Sequence, residues 1–142
     1  MGNDIAGAVQ HLKQNGAKVG VIGFCMGGAL TLLSVVNVPE ADAGVCWYGY
    51  PPLEYIDASK IKAPLLAHWA TDDAAFPIAK VDDLENKLRA ANVKFEFHRY
   101  NAKHAFANET ADSKKLAIIQ YDAEAAALAW RRTMDFLGKH LK

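Results

Sequence analysis

Val19-Gly20-Val21-Ile22-Gly23-Phe24-Cys25-Met26-Gly27-Gly28 decides the fold of this chain. Ala17 to Ile22, which holds the apolar run Val19-Gly20-Val21-Ile22, reads as a buried strand, and Met26 to about Val36 reads as a helix of small residues. Between them stands Gly-x-Cys-x-Gly, the signature of a strand that turns abruptly into a helix and lifts its central residue above a parallel sheet. Such a bend leaves no room for side chains at the flanking positions, which accounts for the glycines, and it strains the backbone of the central residue. The helix after the bend aims its unsatisfied N–H groups and the positive end of its dipole at Cys25. Both stabilise a thiolate and, later, an oxyanion.

Helical and strand-like segments alternate on either side of this bend, which predicts an α/β fold: a mostly parallel sheet of about four strands flanked by helices. Upstream, Ile5, Val9 and Leu12 recur at helical spacing over Asn3 to Gln14, and Asn15-Gly16 supplies the stop. Downstream, Ala43 to Trp47 is a second strand, ending in the turn Tyr48-Gly49-Tyr50-Pro51-Pro52. Pro64 to Trp69 is a third, followed by the loop Ala70 to Ala75 and by a helix that Pro77 opens and that runs to about Ala91. Val93 to Tyr100 alternates apolar and polar residues as a fourth strand, a loop spans Asn101 to Asp112, and a long helix covers roughly Tyr121 to His140. No linker, repeat or break in composition marks a second domain, so residues 1–142 read as one.

Composition narrows the partners. Sixteen acidic and sixteen basic residues are spread along the chain with zero net charge, which excludes the basic face that nucleic acid requires and favours a small, neutral or hydrophobic substrate. No apolar run reaches the roughly 18 residues of a membrane span, and Met1-Gly2-Asn3-Asp4 lacks a basic n-region, so the chain reads as soluble and cytoplasmic. The two cysteines, Cys25 and Cys46, form no Cys-x-x-Cys pair, and no His spacing suggests a metal site. In that compartment they stay reduced. Cys46, inside an apolar strand, reads as a small core residue, whereas Cys25 at its bend does not.

Three residues of catalytic type each come after a strand: Cys25 after the first, Asp73 after the third, His104 after the fourth. Loops at the carboxyl ends of parallel strands share one edge of the sheet, so the three can converge. Their order of nucleophile, acid and histidine is that of the α/β-hydrolases. A free thiol is only a few per cent ionised at neutral pH and needs a base within reach. His104 can take that proton and return it to a leaving alcohol, and a carboxylate on the other ring nitrogen fixes the tautomer. The Met26 backbone N–H would supply one oxyanion donor. Asp72 rivals Asp73 for the acid's place, although it could equally cap the turn. Phe24, Trp47, Tyr48, Phe76 and Phe106 flank these loops and are the candidate walls of an apolar substrate pocket. His11, His68, His98 and His140 read as surface or strand-end residues, and Trp130 and Phe136 as core of the last helix.

From Ala17 onward the chain resembles the C-terminal part of the dienelactone hydrolase family, the cysteine-nucleophile branch of the α/β-hydrolases. Gly23-Phe-Cys-Met-Gly-Gly28 is similar to the family's nucleophile elbow, His68-Trp-Ala-Thr-Asp-Asp-Ala-Ala-Phe-Pro77 to its acid loop, and Tyr100-Asn-Ala-Lys-His-Ala-Phe106 to its histidine loop. The resemblance implies Cys25 as nucleophile, His104 as general base and then acid, and Asp73 as the orienting carboxylate. It favours Asp73 over Asp72, because the family's acid precedes the loop proline by four positions. Hydrolysis of small esters or lactones through an acyl-thioester is implied, with no metal or organic cofactor.

The resemblance also implies that only the last four of the family's eight strands are here, and that the loop giving the second oxyanion N–H is not. At the position four past the histidine, where the family often carries a carboxylate-binding arginine, stands Asn108. The strand Ala17 to Ile22 would then be an exposed apolar edge, and a homodimer through that edge is the partner expected besides the small-molecule substrate. The alternative reading is a catalytically weak or inactive module that needs a partner or dimerisation.

Overall fold

The structure is a computed structural model that describes residues 2–142; Met1 lies outside the described residues. Four parallel strands, β1 (Gly20–Phe24), β2 (Ala43–Trp47), β3 (Leu65–Asp72) and β4 (Phe95–Lys103), lie side by side in chain order. Helix α1 (Gly2–Lys13) precedes them, α2 (Met26–Asn37) joins β1 to β2, α3 (Ile78–Ala90) joins β3 to β4, and α4 (Ala123–His140) ends the chain.

Two apolar layers enclose the sheet, as the alternation of side chains along a strand requires. Leu65, Ala67 and Trp69 of β3 face a core shared with Leu32 and Val35 of α2 and with Leu84 and Leu88 of α3. Leu66 and Ala70 face the opposite core, with Val45 and Trp47 of β2 and Ala129 and Phe136 of α4. Every residue of β2 is buried, as expected of a central strand covered on both faces. A smaller cluster of Val9, Val19 and Val38 attaches α1, and the Lys13–Asp42 ion pair at 2.6 Å ties its end to the turn before β2.

Several boundaries move from their sequence expectations. Strand β1 starts at Gly20, because the Val19 N–H turns to the Asp42 carboxylate instead of a ladder partner. Strand β3 continues to Asp72 and β4 to Lys103, so the expected loops each begin three residues later. Three side chains also depart from expectation. Leu12 is 57% exposed and Trp130 41% exposed, neither of them core, while His68, expected at a strand end, is completely buried.

His68 is tolerated inside because both ring nitrogens are satisfied. Nδ1 lies 2.9 Å from the Tyr100 hydroxyl and Nε2 2.8 Å from Thr133 Oγ1, and Arg132 donates to the same Tyr100 oxygen at 3.1 Å. The guanidinium can only donate, so the Tyr100 O–H is free to point at Nδ1 and the Nε2–H at Thr133. This chain of bonds links β3, β4 and α4.

Strand β1 pairs with β2 alone and is an edge of the described sheet. Ile22 and Phe24 on β1, Met26 beside it, and Trp130 and Met134 on α4 are all substantially exposed. No charged residue lies within Gly20–Phe24 to blunt that edge.

Candidate active site

The bend at Cys25 has the geometry its glycines call for. Cys25 sits at φ 56°, in the left-handed region that few non-glycine residues adopt, and it is the N-cap of α2. Its own N–H donates to the Trp47 carbonyl at 2.9 Å, and its carbonyl accepts from Gly28 and Ala29. The Met26 and Gly27 N–H groups have no acceptor among the described residues and open the helix toward the thiol.

The glycines divide the steric work unequally. A Cβ at Gly23 would overlap the Gly27 carbonyl and stand 2.8 Å from Thr31 Oγ1, whereas one at Gly27 would meet no heavy atom within 4 Å. The close approach therefore falls on Gly23 rather than on both flanking positions. Gly23→Ala is expected to lower stability by about 1–3 kcal/mol, because rigid backbone cannot yield, while Gly27→Ala is expected to change it by about 1 kcal/mol or less. Urea denaturation of the two variants checks the contrast.

Asp73 and His104 are brought level by an irregularity. Ala70 pairs with Tyr100, but Asp72 pairs with Lys103, so β4 carries one extra residue between those rungs. Such a bulge re-aims the residues beyond it. Past it, Asp73 continues opposite His104, and without it Asp73 would face Lys103. The side chains meet: Asp73 Oδ2 lies 2.8 Å from His104 Nδ1, and His104 Nε2 lies 3.1 Å from Cys25 Sγ. Both Asp73 and His104 are buried, and Cys25 is half-buried.

The carboxylate of Asp73 does two things at once. Oδ1 accepts the N–H groups of Ala75 and Phe76, each at 2.8 Å, which closes the turn into α3 and leaves Oδ2 for the imidazole. A carboxylate oxygen accepts, so the Nδ1–H of His104 donates to Oδ2 and Nε2 faces Cys25 Sγ. Asp72, the rival, ends β3 as an exposed residue.

Aromatic rings fix the imidazole from two sides. Tyr48 meets it edge-on at 5.2 Å between centroids, and Phe76 lies over it at 5.4 Å, 29° from parallel. Tyr48 at φ 38° and Ala105 at φ 60° share the unusual backbone sign of Cys25, so positive-φ residues occur at the Cys25 bend, in the turn after β2 and beside His104. Burial and the neighbouring Cys25 sulfur push the Tyr48 hydroxyl up from its usual range, which keeps it neutral. Of the expected pocket residues, Trp47 and Phe106 are completely enclosed and pack behind Tyr48 as core, because their side of the sheet is covered by α4. Tyr48 is itself largely buried, and Phe24 at 38% is exposed beside the bend. Cys46 is also core: its thiol donates to the Gly49 carbonyl at 2.9 Å, and burial pushes it up to about 12.

Two features of this arrangement escape a reading of the sequence. The bulge leaves no local signature, and the His68–Tyr100–Thr133 bonds join residues 32 and 65 positions apart. The only hint of the second is a histidine inside the apolar run of β3.

A parallel sheet with a strained Gly-x-Cys-x-Gly bend after the first strand, a carboxylate after the third and a histidine after the fourth has the arrangement of an α/β-hydrolase-like protein. The comparisons carry this to a family: the sequence profile described as "Dienelactone hydrolase family" matches residues 1–141, and the chain belongs to that family. A protein of Methylorubrum extorquens, provisionally named carboxymethylenebutenolidase, is 32% identical over 97% of this chain and 50% of its own length. Among solved structures, a dienelactone hydrolase-like promiscuous phosphotriesterase from metagenomic libraries superposes with a TM-score of 0.79 at 26% identity, over 89% of this chain and 54% of that one. An α/β-hydrolase from a deep-sea metagenome shares the fold, with a TM-score of 0.77 at 20% identity, over 99% of this chain and 64% of that one. The chain spans about half the length of the curated relatives it matches.

Proposed function

We propose that this chain is a thiol-dependent hydrolase of small esters or lactones that works through an acyl-thioester on Cys25. The observation that carries the reading is the unbroken line of hydrogen bonds from Asp73 Oδ2 through both His104 nitrogens to Cys25 Sγ, at 2.8 and 3.1 Å. Cys25 sulfur attacks the acyl carbonyl while its proton passes to His104 Nε2, and the imidazolium is held by Asp73. The tetrahedral oxygen takes the Met26 N–H, one donor being worth on the order of 3 kcal/mol in the transition state. Collapse breaks the C–O bond, and the leaving alkoxide takes the proton from Nε2; in a lactone it stays tethered to the acyl group. Water then attacks the thioester, giving its proton to His104, and the carboxylic acid leaves as the thiolate is expelled and reprotonated.

The name of the Methylorubrum relative denotes a lactone-cleaving enzyme, which supports including lactones. The test is cleavage of p-nitrophenyl acetate by the purified chain. Turnover is expected in the wild type and not in Cys25→Ala, and turnover that survives in Cys25→Ala overturns the mechanism.

The exposed, uncharged β1 edge supports a second reading: a module that turns over weakly until a partner completes it. Rapid alkylation of Cys25 without ester turnover would favour it. The partner we propose for the uncharged β1 edge is a second copy of this chain, paired through the strand and covered by Ile22 and Phe24. Light scattering is expected to give a dimer that Ile22→Lys dissociates; a wild-type monomer at all concentrations would contradict this.

A further inference from the structure

The turn after β2 touches the segments of Cys25, His104 and Asp73 in three successive residues. Gly49 lies against the Cys25 bend, where an added Cβ would overlap the Cys25 carbonyl. Tyr48 meets the His104 ring edge-on at 5.2 Å. Tyr50 reaches the segment after Asp73: its hydroxyl donates to the Pro77 carbonyl at 3.0 Å, and its ring stands nearly perpendicular to Phe76, 5.2 Å between centroids. Burial and the nearby Asp73 carboxylate push that hydroxyl up from its usual range, so it stays protonated and can donate.

What Tyr50 holds is the residue stacked on the imidazole. The Phe76 N–H donates to Asp73 Oδ1, its ring lies over His104 at 5.4 Å, and Asp73 Oδ2 accepts from His104 Nδ1. One carboxylate thus ties down the histidine and the backbone of the phenylalanine packed on it. A hydrogen bond at one nitrogen fixes the ring's distance from Asp73 but restrains its tilt weakly, because the angular preference is broad. The stacked face of Phe76 supplies the restraint on tilt, and Tyr50 keeps Phe76 in place. Tyr50 is anchored in turn, since its ring packs on the buried Trp69 of the core at 6.2 Å.

We propose that Tyr50 is a positioning residue: through Phe76 and Pro77 it sets the tilt of the His104 ring, and with it the aim of Nε2 at Cys25 Sγ. This rests on His104 serving Cys25 as base, and it adds to that reading a residue that acts only through the histidine. A reacting group displaced by about 1 Å costs on the order of a hundredfold in rate, and a group that is loosened but still samples the correct geometry costs less.

The test uses two variants of the full chain. Tyr50→Leu removes ring and hydroxyl, and kcat/KM for p-nitrophenyl acetate is expected to fall about tenfold. Tyr50→Phe keeps the ring that packs on Phe76 and is expected to stay within about threefold of wild type. The second readout is the His104 Nδ1 proton, observed by NMR and assigned by its loss in His104→Gln. Its exchange with water is expected to quicken severalfold in Tyr50→Leu and to remain near the wild-type rate in Tyr50→Phe. A purely structural role would lower the urea midpoint and leave both readouts of the folded molecule unmoved. Wild-type turnover and exchange in Tyr50→Leu therefore overturn the inference and leave the Cys25 reading standing, as does a wild-type Nδ1 proton that already exchanges as fast as in the variant. Ester cleavage that is undiminished in Cys25→Ala overturns that reading instead, whatever the proton shows.

Discussion

Cleavage of a neutral aryl ester is expected to fall by about three orders of magnitude or more in kcat/KM when Asp73 becomes asparagine, with the fold intact. The two carboxylate oxygens explain why one change separates the two properties. Asparagine keeps an Oδ1 that can accept the Ala75 and Phe76 N–H groups, so the turn into α3 persists. Its amide nitrogen then replaces Oδ2 opposite His104 Nδ1. That nitrogen donates and cannot accept, so Nδ1 must become the bare nitrogen and the proton moves to Nε2. The ring would then face Cys25 with an N–H and could not take the thiol proton. His104→Ala removes the base altogether and is expected to cost at least as much. Asp72→Asn, one residue away at the exposed end of β3, is expected to change the rate by less than about threefold. Full activity in Asp73→Asn, or collapse in Asp72→Asn, would reverse the assignment of the acid.

The second large effect is on stability at low pH. Burial, with smaller contributions from the nearby His98 and Arg132 charges, pushes His68 down to about 3 from the usual 6.5. The folded protein therefore holds the neutral ring, and the unfolded chain binds the proton first. Above about pH 6.5 both states are neutral and the contribution is constant. As pH falls from there toward 3, unfolding takes up a proton and stability drops by roughly 1.4 kcal/mol per pH unit, reaching about 4–5 kcal/mol near the folded value. His98 and His140 are displaced in the same direction and steepen the loss. Guanidinium unfolding of wild type and His68→Gln between pH 7 and 4 measures it. The variant starts less stable, having lost part of the Tyr100 and Thr133 bonding, but its stability is expected to decline less steeply with pH. Parallel slopes would show that His68 does not carry the acid sensitivity.

How much of this is legible in the sequence depends on how local the cause is. Strand β2 can be read to the residue, because five buried positions in a row leave an uninterrupted apolar run ending at a turn. The bend at Cys25 is legible for the same reason, since its glycines answer a steric demand within five residues, although the structure moves that demand to Gly23. The ends of β3 and β4 are not, because Thr71, Asp72 and Asn101 are polar and exposed, and the rung that extends the two strands, Asp72 with Lys103, joins residues about 30 apart in the chain. Orientation is equally hidden. Phe106 and Trp47 adjoin the catalytic loops in sequence just as Phe76 and Phe24 do, yet the first pair turns under α4 and the second toward the surface. Trp130 departs in the opposite sense: it packs against Trp47 and Phe24 with one face and leaves the other open at the β1 edge. His68 cannot be placed from its neighbours at all, since its partners lie on β4 and α4.

The measurement that tests the central claim most directly is the mass of the chain, acid-quenched during turnover of excess p-nitrophenyl acetate and mapped by peptide. One acetyl group is expected, on Cys25, in a thioester that hydroxylamine removes. In Cys25→Ala it should be absent. Ester cleavage in which the acetyl group resides on another side chain, or that proceeds undiminished in Cys25→Ala, would contradict the account.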